Sequence, residues 1–211
     1  MTSQPADPYL HNVIRRASDG SDTDDFQRFL QARIALFVGT MTALFTGLYF
    51  GGVVLIALWA PSWFVAVHVH PAKILNGALA LGLFGVWRFV RRGTRSIGVL
   101  RAVDFGTVIA IAACASVGVA TAPSGYFLEL SGLLVLVVVL ILRSAIVPST
   151  APFTLAVGFA CVPLIVTGSY IQANTRVQLG FASPQLVATG IGIWCVVTTL
   201  TAAMVSREIY G

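Results

Sequence analysis

Six apolar stretches fill nearly all of the chain beyond Arg33, and the polar connections between them carry arginine almost entirely on alternate sides. That pattern sets the solvent before any motif is read. The hydrocarbon core of a bilayer is about 30 Å thick, so a helix rising about 1.5 Å per residue needs about 20 apolar residues to cross it. The stretches predict spans over residues 34–59, 71–90, 102–122, 127–147, 152–172 and 184–206. They are continuously apolar, without the period-2 alternation of a membrane barrel, and only closed helices or closed barrels satisfy backbone groups in lipid. The expected fold is all-α: a polytopic membrane protein built as a six-transmembrane-helix bundle. A hydrophobic fraction of 57% against 10% charged residues excludes an ordinary soluble domain. At 211 residues there is no room for a second folded domain beside the bundle.

Counting cations orients the bundle. Arg15, Arg16, Arg28 and Arg33 precede the first span, and Arg88, Arg91, Arg92, Arg95 and Arg101 lie around the junction of the second and third. Arg143 closes the fourth span and Arg207 follows the sixth. These eleven of the thirteen Lys and Arg residues share one side, leaving Lys73 and Arg176 on the other. The positive-inside rule then places both termini in the cytoplasm, N-in and C-in. The net charge of +5 reads as this topology signal rather than a phosphate-binding face, and no nucleic-acid partner is expected.

Residues 1–25 mix Ser, Asp, Pro, Gly and Arg with little apolar content, which predicts a disordered cytoplasmic tail. No signal peptide is recognisable there, so the first span itself should direct insertion. Helix is expected to start near residues 22–25, where Ser21, Asp22 or Thr23 can cap it. Phe26, Phe29 and Leu30 share a face with Ile34 and Phe37. Residues 26–33 therefore read as an interfacial helix start that either turns into the first span or extends it.

Ionisable groups at membrane depth are penalised by about 2.5–3.5 kcal/mol at a helix centre, so each one present needs a reason. Arg101 and Asp104, three apart on one helix, can face each other, and Arg143 lies at comparable depth on the fourth span. An Arg101–Asp104–Arg143 cluster is expected to tie the third and fourth spans as a fold-specifying ion pair. A proton or ion pathway is the sharper reading, but Asp104 sits near the entrance rather than the midplane. At the other end, His68 and His70 are two apart, so an extended segment would point both the same way and offer a ligand or pH-sensing site. The plainer reading is interfacial anchoring beside Trp59 and Trp63. Glu129, opening the fourth span, can pair with Lys73 or Arg176, or simply favour the helix N-terminus.

Cys114, Cys161 and Cys195 fall in different spans and read as free thiols packed like small apolar residues, and neither a metal nor a cofactor is expected. Small residues mark where helices can approach: Gly47-x-x-x-Gly51 with Gly52, then Gly82, Gly85, Gly190 and Gly192. G-x-x-x-G serves packing within a bundle and dimerisation alike.

No catalytic motif is present: no G-x-S-x-G, no H-E-x-x-H, no nucleotide loop, and no kinase Gly-rich loop or H-R-D. Three blocks nonetheless carry a resemblance. Leu100-Arg101-Ala102-Val103-Asp104 opens the third span, and Leu142-Arg143-Ser144-Ala145-Ile146-Val147-Pro148-Ser149-Thr150 closes the fourth. Ser206-Arg207-Glu208-Ile209-Tyr210-Gly211 follows the sixth. Together they resemble the N-terminal six-span membrane module of bacterial, especially myxobacterial-type, serine/threonine protein kinases, over residues 26–211. The resemblance implies a sensor or anchor module in the bacterial cytoplasmic membrane, coupled through Ser206, Arg207 and Tyr210 to a kinase domain beyond Gly211. No catalytic residue can be carried over. Looser kinship links the pattern to the six-span anchors of class III adenylate cyclases, where dimerisation controls catalysis. The expected partners are thus the lipid bilayer, a second copy of the chain, and a cytoplasmic kinase or cyclase domain. A small self-contained transporter or channel using the Arg101–Asp104–Arg143 cluster is the alternative. Gly211, which readily takes a left-handed cap, is expected to end the last helix.

Overall fold

The computed structural model describes residues 23–59, 61–122, 129–175 and 183–210. Its elements are α1 (Thr23–Trp59), a 3-10 turn over Pro61–Trp63, α2 (Phe64–His68), α3 (Pro71–Arg91), α4 (Ile97–Ala120), α5 (Glu129–Ile146), α6 (Ala151–Thr175) and α7 (Pro184–Tyr210). There is no strand among the described residues. The expected tail up to residue 22 and the cap at Gly211 lie outside them.

Five helices are long and apolar enough to cross a membrane: α1, α3, α4, α6 and α7. The sixth apolar stretch forms the shorter helix α5, whose 18 residues reach roughly 27 Å at about 1.5 Å per residue. The chain is therefore an all-helical, multi-pass membrane protein. Its packing agrees, because large apolar side chains face outward as well as inward, and a few polar groups are buried among the inward ones. Leu58, Trp59, Leu81 and Met204 stand exposed, while Asp104, Arg143, Gln172 and Ser206 are buried. Lipid does not penalise exposed apolar surface, whereas polar groups must find partners inside.

Local chemistry explains most helix limits. Asp24 and Asp25 sit in the first turn of α1, where the helix dipole favours negative charge. The helix then runs for 37 residues without a break, so it extends through residue 33 rather than turning there. The reason is a single inward stripe, Leu30, Ile34, Phe37, Val38 and Met41, that carries straight through that point with no Gly or Pro between Leu30 and Val38. α3 opens with Pro71 at its first position, and His70 caps it by accepting the Ala72 N–H at 3.3 Å. Just beyond its end, Gly93 takes a left-handed φ of +69° that reverses the chain toward α4.

α4 and α5 form the centre. α4 packs against α1, α3, α5 and α6, and α5 packs against α1, α4, α6 and α7, while α6 with α7 and α1 with α3 make the most extensive outer pairs. Glycine permits close approaches at expected positions, where a Cβ on Gly52 would lie 2.9 Å from Lys73 Nζ and one on Gly192 3.5 Å from Val166, and at others that were not expected. A Cβ on Gly39 would lie 2.8 Å from Trp87 Nε1, and one on Gly168 would lie 2.6 Å from the Ser116 carbonyl. One on Gly158 would collide with the Thr199 side chain. These three contacts close α1 on α3, α4 on α6, and α6 on α7. Gly47, Gly51, Gly82, Gly85 and Gly190 have nothing within 4 Å of such an atom. The G-x-x-x-G of α1 thus contributes nothing to packing within the bundle.

Candidate functional site

The most polar place in the interior lies where α4, α5, α6 and α7 converge. Asp104 stands in the second turn of α4 and Arg143 in the last turn of α5, on the two central helices. Arg143 Nη2 donates to Asp104 Oδ2 at 2.6 Å, and its Nε donates to Oδ1 and Oδ2 at 3.0 and 3.1 Å. The side chains are 0% and 2% exposed, so this bidentate ion pair is dry. It is the single salt bridge among the described residues. The guanidinium also lies over the Phe153 ring, 5.3 Å from its centroid.

The free edge of Arg143 extends the network. Nη1 donates to Thr154 Oγ1 at 3.2 Å. Pro148 explains why Thr154 is there: α5 ends at Ile146, and the short Val147–Thr150 connection turns α6 back so that its first turn passes over Arg143. Ser149 lies 2.9 Å from Thr154 Oγ1, Thr154 donates to Ser206 Oγ at 3.3 Å, and Ser206 donates to the Ser149 carbonyl at 2.7 Å. With Ser149 donating to Thr154, one assignment of three hydroxyl hydrogens satisfies the whole ring. An unbroken chain of contacts therefore runs from a carboxylate on α4 to the last turns of α7. One turn further, Tyr210 Oη donates to the Ala145 carbonyl at 2.8 Å, fastening the end of α7 directly to the end of α5.

The expected Arg101–Asp104 contact is not the one formed. Arg101 is exposed, and Asp104 lies on the inward stripe of α4 with Leu100, Thr107 and Ile111, so its charge is matched across the helix interface by Arg143. Arg207 is exposed beside the buried Ser206. The two histidines do not share an extended segment. His68 closes α2, where its Nδ1 donates to the Phe64 carbonyl at 2.6 Å and its ring stacks on Phe64 at 4.1 Å, whereas His70 is the cap of α3. Each nitrogen used is committed to local helix structure. Glu129 opens α5, but its pairing with Lys73 or Arg176 falls outside the described residues. Lys73 donates to the Tyr49 carbonyl at 3.0 Å, with its ammonium 4.6 Å from the Tyr49 ring centroid. Cys114, Cys161 and Cys195 are free and buried.

Three glutamines that join helices went unforeseen in the sequence. Gln31 on α1 donates to the carbonyls of Val90 and Gly93, both at 2.6 Å, and accepts the Arg95 N–H at 3.1 Å. Gln27, one turn earlier, donates to the Arg95 carbonyl at 2.7 Å. Gln172 on α6, its amide oriented to donate, reaches the carbonyls of Val119 and Ala122 at 2.9 and 3.1 Å. The available signal was a lone amide on an otherwise inward apolar stripe near a helix end.

No protein-family model, curated protein or solved structure matches the chain. Function must be read from the cluster's own chemistry. It holds no activated nucleophile and no open ligand position, and its charges are paired away from water. Such an arrangement can latch helices in register.

Proposed function

We propose that the chain is a six-span, N-in/C-in membrane module of a bacterial signalling protein, which sets the position of its last helix for a cytoplasmic effector such as a serine/threonine kinase domain. The observation that carries the reading is the polar chain from Asp104 through Arg143 and Thr154 to Ser206, reinforced by Tyr210 on Ala145. A module that passes on its state needs the exit helix held by the core. In this reading α5 crosses as the fourth of six spans, and the arginines flanking α1, α3, α4, α5 and α7 mark the cytoplasmic face. Homodimerisation would bring two α7 exits together, as a kinase or cyclase output requires. Transport through the cluster is the weaker alternative, because both charges are dry and fully paired.

The test fuses the full chain to a kinase or cyclase domain and inserts one to four residues after Ser206. Each inserted residue rotates the downstream helix by about 100°, so output should vary periodically with insertion length. A flat response at equal membrane expression would leave anchoring alone. A reporter placed after Tyr210 that works only when exported would overturn the orientation.

A further inference from the structure

Beside α1 and α3 the bundle leaves a groove of about 1290 Å³, open along its side. That exceeds the roughly 300–1,000 Å³ of a pocket for a drug-sized ligand. Small residues at about four-residue spacing along α1, Ala32, Ala35, Gly39, Ala43 and Gly47, hollow out the trough, with Phe84 and Trp87 of α3 opposite. Gly39 is where the trough is tightest, because it lies directly on Trp87.

One end of this apolar trough is cationic. Arg28 lies one turn before Ala32, and Arg91 closes α3, its guanidinium 4.9 Å from the Trp87 ring centroid. Both are exposed, and no acidic residue lines the groove among the described residues. The floor at this end is firm: Gln31 holds the Val90 and Gly93 carbonyls, so the backbone around Gly93 and Thr94 is bolted to α1. The arginine-rich turn that carries Arg92 and Arg95 adds positive potential at the same level.

A long apolar channel facing lipid, with two exposed arginines at one mouth that form no ion pair among the described residues, matches an amphiphile with a negative head. We propose that this groove holds an anionic phospholipid of the surrounding bilayer, one acyl chain lying along the small residues of α1 and the phosphate between Arg28 and Arg91. Charge complementarity selects this occupant over a zwitterionic lipid, and the cationic mouth makes an exclusively apolar partner helix a poorer fit. The proposal depends on the membrane-spanning character of the helices and not on the signalling role.

Native mass spectrometry of the full chain in neutral detergent tests it, with added phosphatidylglycerol or phosphatidylcholine of identical acyl chains. Retention of one phosphatidylglycerol in preference to phosphatidylcholine is the expected result. Arg28→Gln/Arg91→Gln should weaken retention roughly 30-fold, from about 1 kcal/mol per cation near an anionic surface at about 1.4 kcal/mol per tenfold. Arg28→Lys/Arg91→Lys, which keeps the charge, should retain most of the binding. Ala35→Phe/Ala43→Phe, which fills the trough but spares the arginines, should expel the lipid. Equal retention of the two lipids, or full retention by the glutamine variant, would overturn the proposal. So would competition by inorganic phosphate at matched concentration, which means a free-anion site. A dimer mass that the trough-filling variant converts to monomer would show a second copy in the groove, and would overturn it too.

Discussion

Removing one charge of the Asp104–Arg143 pair should do more damage than removing both. Asp104→Leu takes away every acceptor of Arg143 Nε and Nη2 at a site where the side chain is 0% exposed, leaving only the Thr154 contact. Breaking a buried pair in this way costs about 3–5 kcal/mol, whereas replacing the whole pair with apolar groups of similar volume is often neutral or stabilising. At about 2–4 °C per kcal/mol for a domain of this size, Asp104→Leu or Arg143→Met alone should lower the unfolding midpoint by roughly 6–20 °C. Asp104→Leu/Arg143→Met should recover most of that loss. The serine–threonine ring survives in the double variant, because Thr154 still accepts from Ser149 and donates to Ser206. Circular dichroism melting in detergent gives the three midpoints, with Arg101→Gln as an exposed control expected to move stability by no more than about 0.5 kcal/mol. A double variant whose loss equals the sum of the singles would refute the pairing argument. So would a single variant that melts with the wild type.

The packing sets three further outcomes. Gly158→Leu or Gly168→Val should destabilise the bundle by about 1–3 kcal/mol or more, because each inserts atoms where Thr199 or the Ser116 backbone already stands, while Gly51→Leu should melt like the parent. Gln31→Leu leaves the Val90 and Gly93 carbonyls without their side-chain donor, so trypsin should cut at Arg92 and Arg95 markedly faster, and an unchanged cleavage rate would count against the clasp. Tyr210→Phe should remove about 0.5–1.5 kcal/mol and speed amide exchange in the last turn of α7 without altering exchange in α4.

The helical architecture was legible because apolar run length is a direct consequence of bilayer thickness, and the five long helices fall on the expected runs. Asp104 and Arg143 were legible as well, since an ionised residue in an apolar run requires a partner. What the sequence could not supply was the rotation of each helix about its axis. Arg101 and Asp104 satisfy the i, i+3 spacing, yet the stripe through Leu100, Thr107 and Ile111 turns only Asp104 inward. The same gap misplaced most of the glycines, Gly52 and Gly192 excepted. Gly47 and Gly51 match a motif, but Gly39, Gly158 and Gly168 meet the neighbouring helices because of what stands opposite them. The histidines do not share an extended segment for a local reason: Pro71 starts a new helix, which makes His70 a cap and separates it from His68 at the end of α2.

Two of the glutamines that the sequence did not single out, Gln31 and Gln172, share a physical logic with Tyr210, which it did. A helix leaves its last carbonyls without intrahelical donors, and in a lipid-embedded bundle water is not freely available to satisfy them. Val90 is the penultimate residue of α3, Val119 of α4 and Ala145 of α5. Each of these carbonyls accepts a side-chain hydrogen bond from a different helix: Gln31 on α1, Gln172 on α6 and Tyr210 on α7. Interhelical hydrogen bonds in membranes average about 0.6 kcal/mol, so the three contribute little to total stability. Their effect is on register. A one-residue slip displaces a helix by about 1.5 Å and turns it by about 100°, which no hydrogen bond of 2.6–2.9 Å survives. The apolar surfaces that make up most of each interface tolerate such a slip far better, because one aliphatic side chain replaces another. Helix order is therefore set by apolar packing and close glycine contacts, while the axial position of the central helices is set by a few polar side chains at their ends. The exit of α7 is the place where both kinds of constraint meet, since Ser206 ties it to the buried ion pair and Tyr210 ties it to the end of α5.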